Sequence, residues 1–395
     1  MDGAVEIADR QQMGESSPSF FEFFAGGGMV RAGLGEGWRC LFANDIDRHK
    51  ARAYAANWGD EVFHLGDVHA LELSEMGGRP DLVWGSFPCQ DLSLAGAGRG
   101  LRGERSGAFF GFWRAIESLI ADGRGPALVA IENVCGTLTS NGGHDFAAVC
   151  RAFAENGFRF GALVIDAAMF LPQSRPRLFV IGLRSDLTPP SGLVVAQAPA
   201  HSGLRRAVQA LPPELRAQHL WWSLPAPPPV RVRLADMIEV APHDVAWRSV
   251  EQTQALLGLM SPAQLRKVSA AKAASKATGI AQVGCLFRRM RVEAGVRVQR
   301  AEVRFDGLAG CLRTSSGGSS RQILMLVEGE QVRTRLLSSR ETARLMGLSE
   351  TYSLPNSHAQ ACHLTGDGVV VDVVRWLARE LFEPALQLGR VRRAA

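Results

Sequence analysis

The sequence predicts an α/β protein: a mostly parallel sheet flanked by helices, joined to a smaller and irregular second domain. From residue 19 to residue 183 short apolar runs alternate with amphipathic stretches, the rhythm of βα units. After Arg184 that rhythm stops. Pro189-Pro190, Pro212-Pro213 and Pro225-Ala226-Pro227-Pro228-Pro229 break any long period, and residues 205–321 are rich in arginine. Helical periodicity returns near Ser338-Ser339-Arg340-Glu341, with a capping-type start and a stop at Gly347. A last apolar stretch over 368–374 leads into a helix through Trp376, Leu377 and Leu381. The boundaries expected from this texture are 1–188 with 340–395 for a discontinuous first domain and 189–339 for the second.

Length and composition bound the rest. The chain has 395 residues, 46% hydrophobic and 21% charged, an ordinary globular balance with length for two or three domains. Neither a bilayer-spanning apolar run nor a basic-then-apolar leader is found, so the expected address is the cytoplasm, with no membrane partner. Cys40, Cys89, Cys135, Cys150, Cys285, Cys311 and Cys362 are scattered without a C-x-x-C pair, which fits neither a disulfide framework nor a zinc cage. A formal charge of +5 favours an anionic partner, although a surplus of this size also occurs in proteins without one.

Each early strand delivers glycine or polar residues at its carboxyl end, where open α/β sheets bind ligands. Phe20-Phe21-Glu22-Phe23-Phe24 runs into Gly26-Gly27-Gly28, Cys40-Leu41-Phe42-Ala43 into Asn44-Asp45, Asp81-Leu82-Val83-Trp84 into Gly85, and Ala127-Leu128-Val129-Ala130-Ile131 into Glu132-Asn133. The glycines of the first turn let backbone approach a ligand, and an acidic side chain about 20 residues on, Asp45 or Asp47, can hold ribose hydroxyls. Arg31 stands where G-x-G-x-x-G needs glycine, which excludes the dinucleotide fingerprint; a tight turn without a ligand is the competing reading. Gly66-Asp67-Val68 forms a third acidic turn, placed either to reach an adenine amine or to cap a helix.

Three further segments carry reactive groups. Gly85-Ser86-Phe87-Pro88-Cys89-Gln90 puts a thiol on a turn at a strand end, where nearby arginines or a helix start lower its pKa; the alternative is a small buried hydrophobe. Ile131-Glu132-Asn133-Val134 ends an apolar strand in a carboxylate. Burial would keep Glu132 protonated and able to donate to a ring nitrogen, unless backbone amides satisfy it. In Gln173-Ser174-Arg175-Pro176-Arg177, period-2 spacing projects Gln173, Arg175 and Arg177 to one side, giving two guanidinium forks for phosphate, carbonyl or carboxylate, or merely surface charge.

In this order the segments resemble the carbon-5 cytosine DNA methyltransferases. The resemblance continues at Arg340 to Gly347 and at Gly366-Asp367-Gly368-Val369, and so spans nearly the whole chain outside the middle domain. It implies a Rossmann-like, S-adenosylmethionine-dependent methyltransferase domain with a target-recognition domain. The implied cofactor is S-adenosylmethionine, leaving as S-adenosylhomocysteine, with no metal. Its contacts by resemblance are Phe24, Ala25, Gly26, Gly28, Asp45, Ile46, Asp67, Val68, Pro88, Asp367 and Val369. Cys89 would be the nucleophile, with Glu132, Arg175 and Arg177 at the target base. Gln90, Ser93, Arg99, Arg105, Arg288, Arg289, Arg313 and Thr314 would contact DNA, with Arg291 and Arg304 as further candidates. The implied partner is duplex DNA, met by a monomer at the nucleoid, with a cognate restriction endonuclease where the chain belongs to a restriction-modification system. Three positions depart from the family pattern: Met29 replaces a glycine, Ile46 a tryptophan, and Gly366-Asp367-Gly368 a Gly-Asn-Ser.

The chemistry explains the residue types. Carbon-5 of cytosine is a poor nucleophile until a thiolate adds at carbon-6 and makes the ring an enamine. Negative charge then builds on the ring, and Glu132 at nitrogen-3 with Arg175 or Arg177 at the carbonyl can relieve it. The base must leave the duplex stack, which costs a few kcal/mol. Residues 94–107, with Arg99, Arg102 and Arg105, are expected to close over DNA behind Cys89, a plain surface loop being the alternative. A zinc deaminase would need H-x-E and P-C-x-x-C, and the chain has neither. A tRNA cytosine-5 methyltransferase shares the catalytic steps, and a silent DNA-binding regulator would have no need of Cys89, Glu132 and Arg175 together.

Overall fold

The computed structural model describes residues 17–88, 107–196, 201–313 and 321–387. They fall into two compact units, one within 1–165, 176–227 and 373–395, the other 166–175 with 228–372.

The first unit holds a seven-stranded sheet of β1 (Ser19–Phe23), β2 (Arg39–Asp45), β3 (Phe63–Leu65), β4 (Leu82–Gly85), β5 (Leu128–Val134), β6 (Phe158–Asp166) and β7 (Pro176–Arg184), in the order β3-β2-β1-β4-β5-β7-β6. β1 pairs in parallel with both β2 and β4, so the strand order reverses at that point, and a crevice opens where such sheets bind ligands. β4 continues in parallel to β5, and β7 returns antiparallel against β5. The central strands β1 and β4 are buried along their whole length, as expected of parallel strands covered on both faces. Phe112, Trp113 and Ile116 of the helix Ala108–Ala121 join Phe23, Val83 and Val129 in one apolar cluster. The end of the chain returns to this unit, where Trp38 and Trp84 both pack on Phe382 and the Trp38 Nε1 donates to Glu383 at 3.1 Å. A two-residue ladder of β8 (Val194–Val195) and β9 (Trp221–Trp222) closes its periphery.

In the second unit residues 228–249 carry no long element, while the rest is built on an antiparallel sheet. β10 (Gln282–Glu293), β11 (Val296–Arg304), β12 (Ile323–Glu328) and β13 (Gln331–Leu336) run in the order β11-β10-β12-β13. The helices Val250–Gly258 and Pro262–Thr278 contribute Leu256, Val268 and Ala271 to a core with Leu286, Val303 and Met325. This unit also takes in the helices Ser339–Leu345 and His358–Asp367, which the sequence boundaries had assigned to the first domain. A buried charge network ties the first of these helices to β13. Arg335 meets Glu341 through two bonds of 2.7 Å with both side chains fully buried, and Glu341 also accepts from the amides of Glu239 and Ser338. Ser338 caps the helix reciprocally with Glu341, and the Arg335 guanidinium lies over Trp247. Among the described residues no helix is long and apolar enough to cross a membrane.

Candidate active site

The carboxyl ends of β1, β2, β4 and β5 bring most of the expected first-unit residues to one edge of the sheet. After β1 the chain turns sharply: Phe24 has φ 58°, Gly26 57° and Gly28 76°. Only glycine adopts such angles without strain, so Phe24 is held there by its surroundings, a pattern found at functional turns. Its ring meets those of Phe87 and Phe112. At Gly28 a Cβ would collide with Trp58, whose Nε1 donates to the Gly27 carbonyl at 3.0 Å and pins the turn from behind. Ala25 donates its amide to the Asn44 carbonyl, locking the turn to β2.

Of the two acidic candidates after β2, Asp45 faces the turn and Asp47 does not. Asp45 Oδ2 accepts from the Gly26 amide at 2.9 Å and Oδ1 from the Asp47 amide at 2.8 Å, whereas Asp47 caps the helix Arg48–Trp58 through His49 and Lys50. Ile46 between them is 68% exposed, a large apolar side chain standing in the open beside the turn. Asp67 accepts from the His69 amide and so serves as a cap, while Val68 is buried beneath it. The Asn44 amide group ties β2 to the β3 end by donating to the carbonyls of His64 and Gly66.

Sequence reasoning missed Glu22. It sits in the middle of β1, fully buried, with Oε1 accepting from the Val30 amide at 3.2 Å and Oε2 without a partner among the described residues. Burial pushes its carboxyl up to about 8, against the Val30 amide and Arg31, which pull it down. The signal was present, because a lone acid inside Phe-Phe-Glu-Phe-Phe has no reason to be in a buried strand unless something there uses it. Arg31 bonds the Tyr54 hydroxyl at 3.0 Å and stacks over Trp58.

At the other side of the crevice, β5 delivers Glu132 and Asn133. Glu132 Oε1 lies 3.0 Å from Arg177 Nε, both largely buried. The register explains the meeting: Arg177 pairs with Val134, on the same face as Glu132 and one step along it. Asn133 is a second clamp that sequence reasoning left without a role. Its Nδ2 donates to the Phe87 carbonyl at 3.2 Å, and its Oδ1 accepts from Val134 and Thr137. That bond fixes the approach to Pro88, which is exposed. Cys89 itself, with Gln90, Ser93, Arg99, Arg102, Arg105 and, further on, Thr314, lies outside the described residues.

Of Gln173, Arg175 and Arg177, expected to project to one side, the first two both reach Leu312, whereas Arg177 meets Glu132. Gln173 and Arg175 precede β7 rather than belong to it, and the strand period does not govern them. Gln173 bonds the Leu345 carbonyl and the Leu312 amide. Arg175 is 2% exposed and donates to the carbonyls of Leu312 at 2.7 Å, Gly366 at 2.9 Å and Gly368 at 2.8 Å. Its fork therefore grips the turn that carries Asp367. Asp367 ends its helix with Oδ2 3.0 Å from His363 Nε2, and Val369 is buried. Among the DNA candidates, Arg289 lies 3.8 Å from Glu302 and over the Phe287 ring, Arg291 is bonded to Glu302, Arg304 to Asp306, and Arg313 is exposed. Arg288 stands on β10 opposite Ala301.

Comparison with known proteins accounts for this arrangement. The family model for the C-5 cytosine-specific DNA methylase matches residues 19–383. The chain is 26% identical to the type II methyltransferase M.HhaI of Haemophilus parahaemolyticus, over 95% of this chain and 96% of that one. It is 24% identical to the type II methyltransferase M.DsaV of Dactylococcopsis salina, over 92% and 85%. In fold it resembles the Entamoeba histolytica methyltransferase EhMeth, with a TM-score of 0.61 at 13% identity over 94% of this chain and 98% of that one. It also resembles the S. pombe Dnmt2 methyltransferase, at 0.54 and 16% over 93% and 99%. The chain belongs to the C-5 cytosine-specific DNA methylase family and is an enzyme of the DNA (cytosine-5) methyltransferase class.

Proposed function

We propose that this chain methylates carbon-5 of a cytosine turned out of a specific sequence in duplex DNA, through a transient bond from Cys89 to carbon-6. The observation that carries the reading is the buried Glu132–Arg177 pair at the end of β5, next to the Asn133 clamp on the segment that leads into Pro88 and Cys89. A carboxyl and a guanidinium at adjoining positions match the two polar sites of a cytosine ring, nitrogen-3 and the carbonyl. Glu132 holds a proton toward the nitrogen, Arg177 donates to the oxygen, and both oppose the negative charge that thiolate addition places on the ring. The Cys89 thiolate forms the carbon–sulfur bond at carbon-6. After carbon-5 has been methylated, loss of its proton to a base and elimination of the thiolate restore the aromatic ring. Arg175 acts as a positioning residue, since its donors are engaged by backbone carbonyls.

The first turn fits an adenosyl group with an amino-acid tail. It offers Asp45 for hydroxyls, the exposed flank of Ile46 for a flat ring, and a buried Glu22 oxygen lacking a donor. Bound S-adenosylmethionine supplies the electrophilic methyl group. Phe24, Ala25, Gly26, Gly28, Asp67, Val68, Pro88, Asp367 and Val369 complete the proposed contacts, and residues 189–339 supply target recognition.

The test is incubation with labelled S-adenosylmethionine and duplex DNA, duplex containing 5-fluorocytosine, or tRNA. The expected result is label in DNA and a covalent adduct with the fluorinated duplex, both lost in Cys89→Ala. Label in tRNA alone, or activity that survives Cys89→Ala, overturns the proposal.

A further inference from the structure

β10 and β11 are longer than the sheet they belong to. β10 pairs with β12 only from Gln282 to Leu286, whereas its ladder with β11 runs on from Phe287↔Glu302 to Glu293↔Val296. At about 3.4 Å per residue the free ribbon is about 20 Å long, and a two-stranded ribbon of that size enters the major groove of B-DNA. It is basic, with Arg288, Arg289, Arg291, Arg297 and Arg300 against Glu293 and Glu302 between residues 287 and 302.

The two faces of the ribbon differ. On one, Arg291 bonds Glu302, Arg289 lies beside the same carboxylate, and Arg300 pairs with Glu293, so these charges are already matched. On the other, the register sets Arg288, Met290 and Val292 against Ala301, Gln299 and Arg297. Here Met290 is 49% and Val292 70% exposed, and neither Arg297 nor Gln299 has a side-chain partner among the described residues. At the root of this face Arg288 comes near Arg248, whose guanidinium is held below its usual pKa by burial and by that like charge. Arg248 has no carboxylate partner among the described residues.

We infer that this second face reads the bases that flank the target cytosine, Arg297 and Gln299 bonding base edges in the major groove while Met290 and Val292 pack against thymine methyls. A guanidinium fork matches guanine O6 and N7, and a carboxamide matches adenine N6 and N7. A ribbon that only held phosphates would gain nothing from solvent-exposed methionine and valine between its donors. The inference rests on the proposed action on duplex DNA.

The full-length protein tests it, as wild type, Arg297→Ala and Gln299→Ala, by methyl transfer over a library of duplexes randomised around one cytosine. Each variant is expected to lose about tenfold or more in kcat/KM on the preferred sequence and to relax the preference at one base position. Melting temperature and S-adenosylmethionine binding stay at the wild-type values, and Lys276→Ala, which removes an exposed charge from the same unit, keeps the wild-type preference. An unchanged preference in both variants overturns the inference and leaves the proposed function standing, as does a uniform loss on all sequences. A wild type that methylates no duplex overturns both.

Discussion

Glu22→Gln should change how stability depends on pH, and by a calculable amount. The native carboxyl titrates at about 8 against 4.5 for the ordinary group, because β1 buries it. Between those values the folded chain keeps a proton that the unfolded chain has lost, so rising pH favours unfolding. The stabilisation is complete below pH 4.5 and is lost as pH rises through about 8. Each unit of pH inside the window contributes up to about 1.4 kcal/mol, and from pH 5 to 8 the total is on the order of 3 kcal/mol. Glutamine keeps the Val30 bond and cannot ionise, so it should remove that dependence. Urea unfolding of both proteins at pH 5, 6, 7 and 8, followed by tryptophan fluorescence, gives the difference directly. Parallel pH profiles would refute the burial argument, including the idea that Arg31 and Asp45, the charged neighbours, leave Glu22 protonated near neutrality.

Arg177→Ala should lower kcat by about 100-fold or more with little change in S-adenosylmethionine affinity, since the loss is a charge met only as the ring becomes anionic; single-turnover methylation measures it. Asn133→Ala should cost about 1–3 kcal/mol in unfolding free energy by orphaning the buried Phe87 carbonyl, and should slow adduct formation with fluorinated duplex. Ala294 occupies the hairpin turn of the ribbon at φ 48°, beside Gly295 at 80°. Asparagine there suits a two-residue turn far better, and Ala294→Asn should raise stability by about 1 kcal/mol in denaturant unfolding.

Much of the fold was legible because its signals are local. The apolar runs at 20–24, 40–43, 81–84, 127–131 and 178–181 all became strands, and their carboxyl ends deliver Gly26, Asp45 and Glu132 to the crevice. The capping box at Ser338 and Glu341 and the stop at Gly347 were equally local and are found where expected. What escaped was long-range. Arg175 grips carbonyls 137, 191 and 193 residues away, and no spacing rule anticipates such partners. The choice between Asp45 and Asp47 turned on which carboxylate the helix Arg48–Trp58 claimed as its cap. The ribbon was hidden because its residues read as scattered arginines until the register separated matched from unmatched charges.

The Arg335–Glu341 pair limits where this protein can be cut and rejoined. A chimera that exchanges the recognition segment at the 339/340 junction carries the arginine and leaves the glutamate behind. In a recipient without the matching acid, the graft then buries a lone cation at a cost of about 3–5 kcal/mol, enough to unfold many hybrids whatever their sequence preference. Splicing beyond Gly347 transfers the network whole, with Glu239, Ser338 and Trp247 beside it.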